Sequence, residues 1–128
     1  MLNVLLIYDD RSATLTARQV LAKMNIAPVD LVLEEFHPEF LFSEVFDLAI
    51  FELFGENRSC IVILKQLETW AMTSGMEVPP VIVLTEDDTG RIERDLRTAK
   101  VSFFFVKPVA ESDLVAAIKQ SLLLPKNF

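Results

Sequence analysis

The chain has 128 residues, of which 52% are hydrophobic and 24% are charged, with six prolines and three glycines. This composition excludes a disordered or fibrous chain and predicts one compact domain. The net charge is −7, from 19 acidic and 12 basic residues, and this disfavours binding to nucleic acid or to anionic membranes.

Five apolar runs of strand length follow one another along the chain. Most are continuous rather than alternating, which is typical of strands buried on both faces of a parallel sheet. The runs are Val4 to Tyr8, Val29 to Leu33, Leu48 to Phe51, Val81 to Leu84 and Phe103 to Val106.

Segments with apolar residues at helical spacing lie after these runs, and each clear one forms a single apolar stripe. The clear stripes run over Ala17 to Met24, Cys60 to Ala71 and Leu114 to Leu122. Two further helices are predicted by position, a short one over Phe40 to Val45 and a mostly polar one over Thr89 to Thr98. Strand and helix therefore alternate five times.

This alternation predicts an α/β fold, a single doubly wound (βα)5 domain over residues 1–128. Its five-stranded parallel sheet has helices on both faces, a flavodoxin-like topology. The tail after Leu124 is too short for an output domain, and no apolar run reaches the ~20 residues of a membrane helix. The single cysteine, Cys60, favours a reducing compartment, so the expected location is cytoplasmic.

Polar side chains gather where the predicted strands end, which is the edge at which ligands of such folds bind. These residues are Asp9 and Asp10 after strand 1, Glu52 after strand 3, Thr85 after strand 4 and Lys107 after strand 5. Three neighbouring carboxylates are tolerable only if a hard cation, a lysine or water neutralises them, and all-oxygen ligands suit Mg²⁺ or Ca²⁺. The pattern therefore predicts Lys107 as a resident counter-ion and Asp9, Asp10 and Glu52 as a candidate site for such a cation.

The same residues give the chain a resemblance to the receiver domain of two-component response regulators, over about Leu2 to Leu124. Four segments carry the resemblance, through their order along the chain and their places in the predicted fold. They are Val4-Leu5-Leu6-Ile7-Tyr8-Asp9-Asp10, Phe46-Asp47-Leu48-Ala49-Ile50-Phe51-Glu52-Leu53, Pro80-Val81-Ile82-Val83-Leu84-Thr85 and Phe103-Phe104-Phe105-Val106-Lys107-Pro108.

The resemblance implies a role for each matching position. Receivers bind Mg²⁺ with the acidic pair, here Asp9 and Asp10, and use an aspartate after strand 3 as the phosphoacceptor. Thr85 matches their switch hydroxyl, Phe104 their switch aromatic and Lys107 the lysine that binds the phosphoryl group. A histidine kinase is the implied partner.

The chain departs from this pattern at the acceptor position, where Glu52 replaces aspartate. One extra methylene displaces the attacking oxygen by about an ångström, which disfavours in-line phosphoryl transfer. The longer arm could instead hold a fixed negative charge near Thr85 and Lys107, as a partial mimic of a phosphoryl group. The loop after the acceptor position also differs from the sequence usual in receivers, and the bulky Phe54 in it could shield the site.

Each of these residues also has a purely structural interpretation. Asp9 and Asp10 could be loop and N-cap residues that open the first helix. Glu52 could be only an ion-pair partner of Lys107, which is the favoured reading. The Thr85 hydroxyl could cap the following helix, and a run of phenylalanines is usually core.

Three functions compete on this evidence, and none of them requires enzymatic turnover. The favoured one is an atypical receiver that signals through protein–protein contacts with a degenerate acceptor site. The alternative is a phosphoacceptor that still binds Mg²⁺ and takes a phosphoryl group at Glu52 or a nearby acid. A flavodoxin-like cofactor carrier is disfavoured because the first loop is acidic and glycine-free. The mixed charges of residues 89–98 also permit a homodimer through that helix, strand 103–106 and the last helix.

Overall fold

The structure is a computed structural model that describes residues 2–10, 13–35, 46–54, 59–75, 78–86 and 101–123. Strands and helices alternate through these ranges, as the apolar runs predict. The elements are β1 (Val4–Tyr8), α1 (Thr16–Lys23), β2 (Val29–Val32), a 3₁₀ turn (Leu33–Glu35), β3 (Leu48–Leu53), α2 (Ser59–Ser74), β4 (Val81–Thr85), β5 (Phe103–Val106) and α3 (Glu111–Leu122). The predicted helices over 40–45 and 89–98 lie outside the described residues, and so does most of the proposed dimer face.

The five strands form one parallel sheet in the order β2-β1-β3-β4-β5. This confirms the predicted doubly wound α/β fold. The connection after β1 leads to β2 on one side of β1, and the connection after β2 returns to β3 on the other side, so the strand order reverses between β1 and β3. Ligand crevices of such sheets open at the carboxyl ends of the strands beside this reversal.

The prediction that the strands are buried on both faces is confirmed for the three inner strands and is wrong for the two outer ones. Every residue of β3 and β4 is buried, whereas Val29 of β2 and Val106 of β5 are 38% and 39% exposed. The reason is position, because an edge strand has a neighbour on one side only. Continuous hydrophobicity does not distinguish an edge strand from a central one.

Two apolar layers sandwich the sheet. On one face, Leu48 and Ile50 of β3 pack with residues of α1 and α3. On the other face, Ala49 and Phe51 pack with residues of α2. Alternation along β3 therefore decides which layer each side chain meets. No helix among the described residues is both long and apolar enough to cross a membrane.

Candidate functional site

Glu52 lies inside the central strand and not beyond its end, which corrects the sequence prediction. It is the fifth of six residues in β3, and it pairs in register with Tyr8 of β1 and Leu84 of β4. Its side chain follows Leu48 and Ile50 onto the face covered by α1 and α3, and it is 0% exposed. A carboxylate in such surroundings is stable only if its oxygens are fully hydrogen-bonded.

Three donors satisfy the Glu52 carboxylate. Oε2 accepts hydrogen bonds from the backbone N–H of Thr16 at 2.9 Å and from the Lys107 ammonium at 2.5 Å. Oε1 accepts one from the backbone N–H of Ala17 at 2.8 Å. The predicted ion pair between Glu52 and Lys107 is therefore present. The two helix amides are contacts that the sequence did not indicate.

These two amides are the first of α1, whose own N-cap residue provides no side-chain hydrogen bond. That residue is Leu15, which has extended backbone angles and is only 2% exposed. A helix start leaves several N–H groups without intrahelical partners, and an anion is favoured there by the helix dipole. Glu52 of β3 therefore takes over the capping role. The alternative that Asp9 or Asp10 caps α1 is wrong, because the N-cap position is Leu15, five residues after Asp10.

Lys107 lies between the carboxylate and an aromatic ring. Its ammonium is 3.8 Å from the centroid of the Phe54 ring, a cation–π distance, and its side chain is 12% exposed. Its backbone N–H donates to the carbonyl oxygen of Thr85 at 2.7 Å, which fixes where the side chain starts. The group that the Phe54 ring covers is thus the Lys107 ammonium.

The three carboxylates predicted to bind Mg²⁺ do not form one site. Among the described residues, no group of three Asp, Glu, His or Cys side chains could hold a metal ion. Both oxygens of Glu52 are bound to α1 and Lys107, and Oδ1 of Asp9 accepts a hydrogen bond from the Phe54 backbone N–H at 2.9 Å. Glu52 therefore does not fit as a metal ligand, which leaves Asp9 and Asp10 as the two predicted carboxylates that could hold a cation.

The two predicted switch residues share the opposite face of the sheet. Thr85 ends β4 and is 0% exposed, and it continues the alternation of Val83 toward the α2 layer. Phe104, which pairs with Val83, is partly buried and packs against the same layer. Glu52 points to the other layer. A switch role for Thr85 and Phe104 stays a prediction.

An open pocket of about 490 Å³ adjoins Lys107 at the carboxyl edge of the sheet. Its lining residues come from the loop before α1 and the first residue of α1, the positions just after β3 and β4, and the segment after β5. They are Thr14, Thr16, Phe54, Glu86, Lys107, Pro108 and Val109. Phe54 and Lys107 therefore present one surface to this pocket, while the Glu52 carboxylate lies buried beneath them.

Sequence reasoning missed the contribution of α1 to this site. The functional groups that α1 supplies are the backbone amides of Thr16 and Ala17, and every residue except proline carries such a group. No side-chain pattern marks these two amides, so only the packing of α1 over β3 could identify them.

The fold matches solved structures, although no family model and no curated protein sequence matches the chain. Chemotaxis protein CheY4 of Vibrio cholerae is 17% identical, with a TM-score of 0.71 over 95% of this chain and 99% of that one. A CheY-like response regulator receiver domain protein from Methanospirillum hungatei is 23% identical, with a TM-score of 0.70 over 95% and 94%. The signal receiver domain of a signal transduction histidine kinase from Syntrophus aciditrophicus is 17% identical, with a TM-score of 0.75 over 100% and 95%. The chain therefore has the fold of CheY-like receiver domains.

Proposed function

We propose that the chain is an atypical receiver module of two-component signalling that acts through protein–protein contacts and not through phosphotransfer at Glu52. A histidine kinase or another signalling protein is the proposed partner, and no enzymatic turnover is involved. The receiver fold supports the signalling role. The environment of Glu52 supports the loss of phosphotransfer at this residue, and it is the observation that carries the proposal.

A phosphoacceptor must present a free carboxylate oxygen to the incoming phosphorus at about 3–3.5 Å, in line with the leaving group. Glu52 is 0% exposed, and its two oxygens accept three hydrogen bonds. Attack would require the carboxylate to leave the α1 amides and the Lys107 ammonium. The same contacts occupy both oxygens of Glu52, so Asp9 and Asp10 are the two predicted carboxylates left to hold the Mg²⁺ that the resemblance implies.

The test compares the wild type with Glu52→Asp by amide NMR, first with Mg²⁺ and then with beryllofluoride as a phosphoryl mimic. Shortening the side chain by one methylene restores the acceptor type that the resemblance implies. We expect saturable shifts at Asp9, Asp10 and Thr85 in Glu52→Asp and none with beryllofluoride in the wild type. Glu52→Gln, which keeps the length but cannot accept a phosphoryl group, is the matched control.

A beryllofluoride response of the wild type would contradict the proposal and favour the phosphoacceptor alternative. Phosphoryl incorporation from a small-molecule donor, abolished by Glu52→Gln, would do the same. A yellow or otherwise coloured purified protein would favour the cofactor carrier instead.

A further inference from the structure

We infer that the open pocket beside Lys107 receives an arginine side chain of a partner protein, with Glu86 as its counter-ion. The inference rests on the proposed function, because it names the chemistry of a partner contact that an atypical receiver would make. The pocket is already open in the native chain, so no side chain has to be removed before the ligand enters.

The lysine at this pocket has its charge neutralised by the chain itself. The Lys107 ammonium contacts the buried Glu52 carboxylate at 2.5 Å and faces the Phe54 ring at 3.8 Å, and its side chain is 12% exposed. Two opposite charges in contact leave little field outside the pair. An anionic ligand would have to compete with Glu52 for the ammonium, so the pocket is not suited to phosphate or to a carboxylate.

The charges that remain beside the pocket are negative. Glu86 is exposed directly after β4, and its carboxylate has no hydrogen bond or ion pair in the described part of the chain. Asp9 adjoins the pocket, because its Oδ1 accepts a hydrogen bond from the backbone N–H of the lining residue Phe54 at 2.9 Å. The net charge of −7 adds a long-range attraction for cations. These charges favour a cationic ligand over a neutral or anionic one.

The walls of the pocket suit a cation that has an apolar stem and several N–H donors. Pro108 and Val109 form an apolar wall beside the Phe54 ring. The hydroxyls of Thr14 and Thr16 line the same pocket, and neither has a hydrogen-bond partner among the described residues. An arginine guanidinium offers more N–H donors than a lysine ammonium and is more weakly hydrated. Arginine therefore matches the hydroxyl and carboxylate oxygens of the pocket better than lysine does.

The size and openness of the pocket fit a side chain that stays attached to another protein. Its volume of about 490 Å³ lies within the ~300–1,000 Å³ that is usual for ligand sites. Because the pocket opens to solvent, a guanidinium can enter while the backbone that carries it remains outside. Arginine is enriched among the anchor residues of protein interfaces, where its charge meets an acid of the partner.

The experiment is an amide NMR titration of the wild-type chain, without Mg²⁺, with N-acetylarginine amide, whose only charge is the guanidinium. We expect saturable shifts at the amides of residues 16, 54, 86 and 109. The dissociation constant should be millimolar, because the probe lacks the rest of an interface. N-acetylcitrulline amide has nearly the same shape and no charge, and should bind at least about fivefold more weakly.

Glu86→Gln tests the counter-ion and preserves the shape of the side chain. It should weaken binding of N-acetylarginine amide roughly three- to tenfold, the loss of a charge-assisted contact at a partly open site. Glu68→Gln is the matched control, because Glu68 belongs to α2, does not line the pocket and changes the net charge equally. Its affinity should stay within about twofold of the wild type.

The inference is overturned if the arginine probe gives no saturable shift, if the citrulline probe binds equally well, or if the two glutamine variants weaken binding equally. The proposed function is tested separately, by beryllofluoride at the acceptor position. A wild-type response to beryllofluoride would contradict the proposed function and would not alter the binding of the arginine probe, whereas a failed arginine titration overturns this inference alone.

Discussion

At the scale of single residues, the length of the Glu52 side chain decides the chemistry of this edge. A buried carboxylate loses much hydration free energy, and only well-placed donors, preferably including a cation, compensate it. The two methylenes of Glu52 extend from the central strand to the start of α1 and to Lys107. From the sequence alone, Glu52 is a poor phosphoacceptor. In the structure its side chain links β3 to α1 and to the segment after β5.

The charge of Glu52 can be tested separately from its length. Glu52→Gln should lower the free energy of unfolding by about 3 kcal/mol, because the largely buried Lys107 ammonium loses its counter-ion. Urea unfolding with linear extrapolation measures this. Glu111→Gln, in the exposed ion pair with Lys23, should cost less than about 1 kcal/mol. Equal costs for the two variants would argue against a structural role for the buried pair.

Phe54 offers a second test at this scale, because its ring faces the ammonium of Lys107 at 3.8 Å. Phe54→Leu keeps an apolar side chain but removes the π face, and should lower the free energy of unfolding by about 1 kcal/mol. Phe54→Tyr keeps the ring and should stay within about 0.5 kcal/mol of the wild type. The same urea measurement applies. A Tyr variant as unstable as the Leu variant would show that packing, and not the cation–π contact, is what Phe54 provides.

At the scale of elements, α1 is a helix whose cap comes from outside its own segment. Its N-cap position holds Leu15, which packs into the core and cannot accept a hydrogen bond through its side chain. Local sequence therefore explains the apolar stripe of α1 but not the stability of its first turn. The strand predictions divide in a similar way: hydrophobicity located all five strands, while the exposed Val29 and Val106 reflect edge positions that only strand order defines.

Amide hydrogen exchange can detect the external cap. Glu52→Asp shortens the side chain by one carbon–carbon bond, about 1.5 Å, so the carboxylate cannot hold both α1 amides. We expect exchange at residues 16 and 17 to rise about fivefold or more, equivalent to the ~1 kcal/mol that loss of an N-cap costs. The α3 amides of Asp113 and Leu114, which bond to the Ala110 carbonyl, should be unaffected. Unchanged exchange at residues 16 and 17 would contradict the capping role.

At the scale of the whole molecule, the sheet order brings the site together. Glu52 lies on the central strand, with α1 and α3 covering its face, and Lys107 follows the outer strand β5. Two strands' width separates the backbones of these residues, and the long lysine side chain closes that distance to form the 2.5 Å contact. Thr85 and Phe104 lie on the opposite face, so one edge of the sheet carries two different environments.

The sequence by itself determined the fold class, the place of the site and its main ion pair. Continuous apolar runs, helical stripes and polar residues at strand ends are local signals. An acid and a lysine at one buried edge form an ion pair because neither charge is stable there alone. Tertiary structure alone decided that Glu52 caps α1 and does not join Asp9 and Asp10 around a metal. The reason is that the competing partners of Glu52 are backbone amides, which have no sequence signature, and the packing of α1 over β3 is what brings them within hydrogen-bond distance.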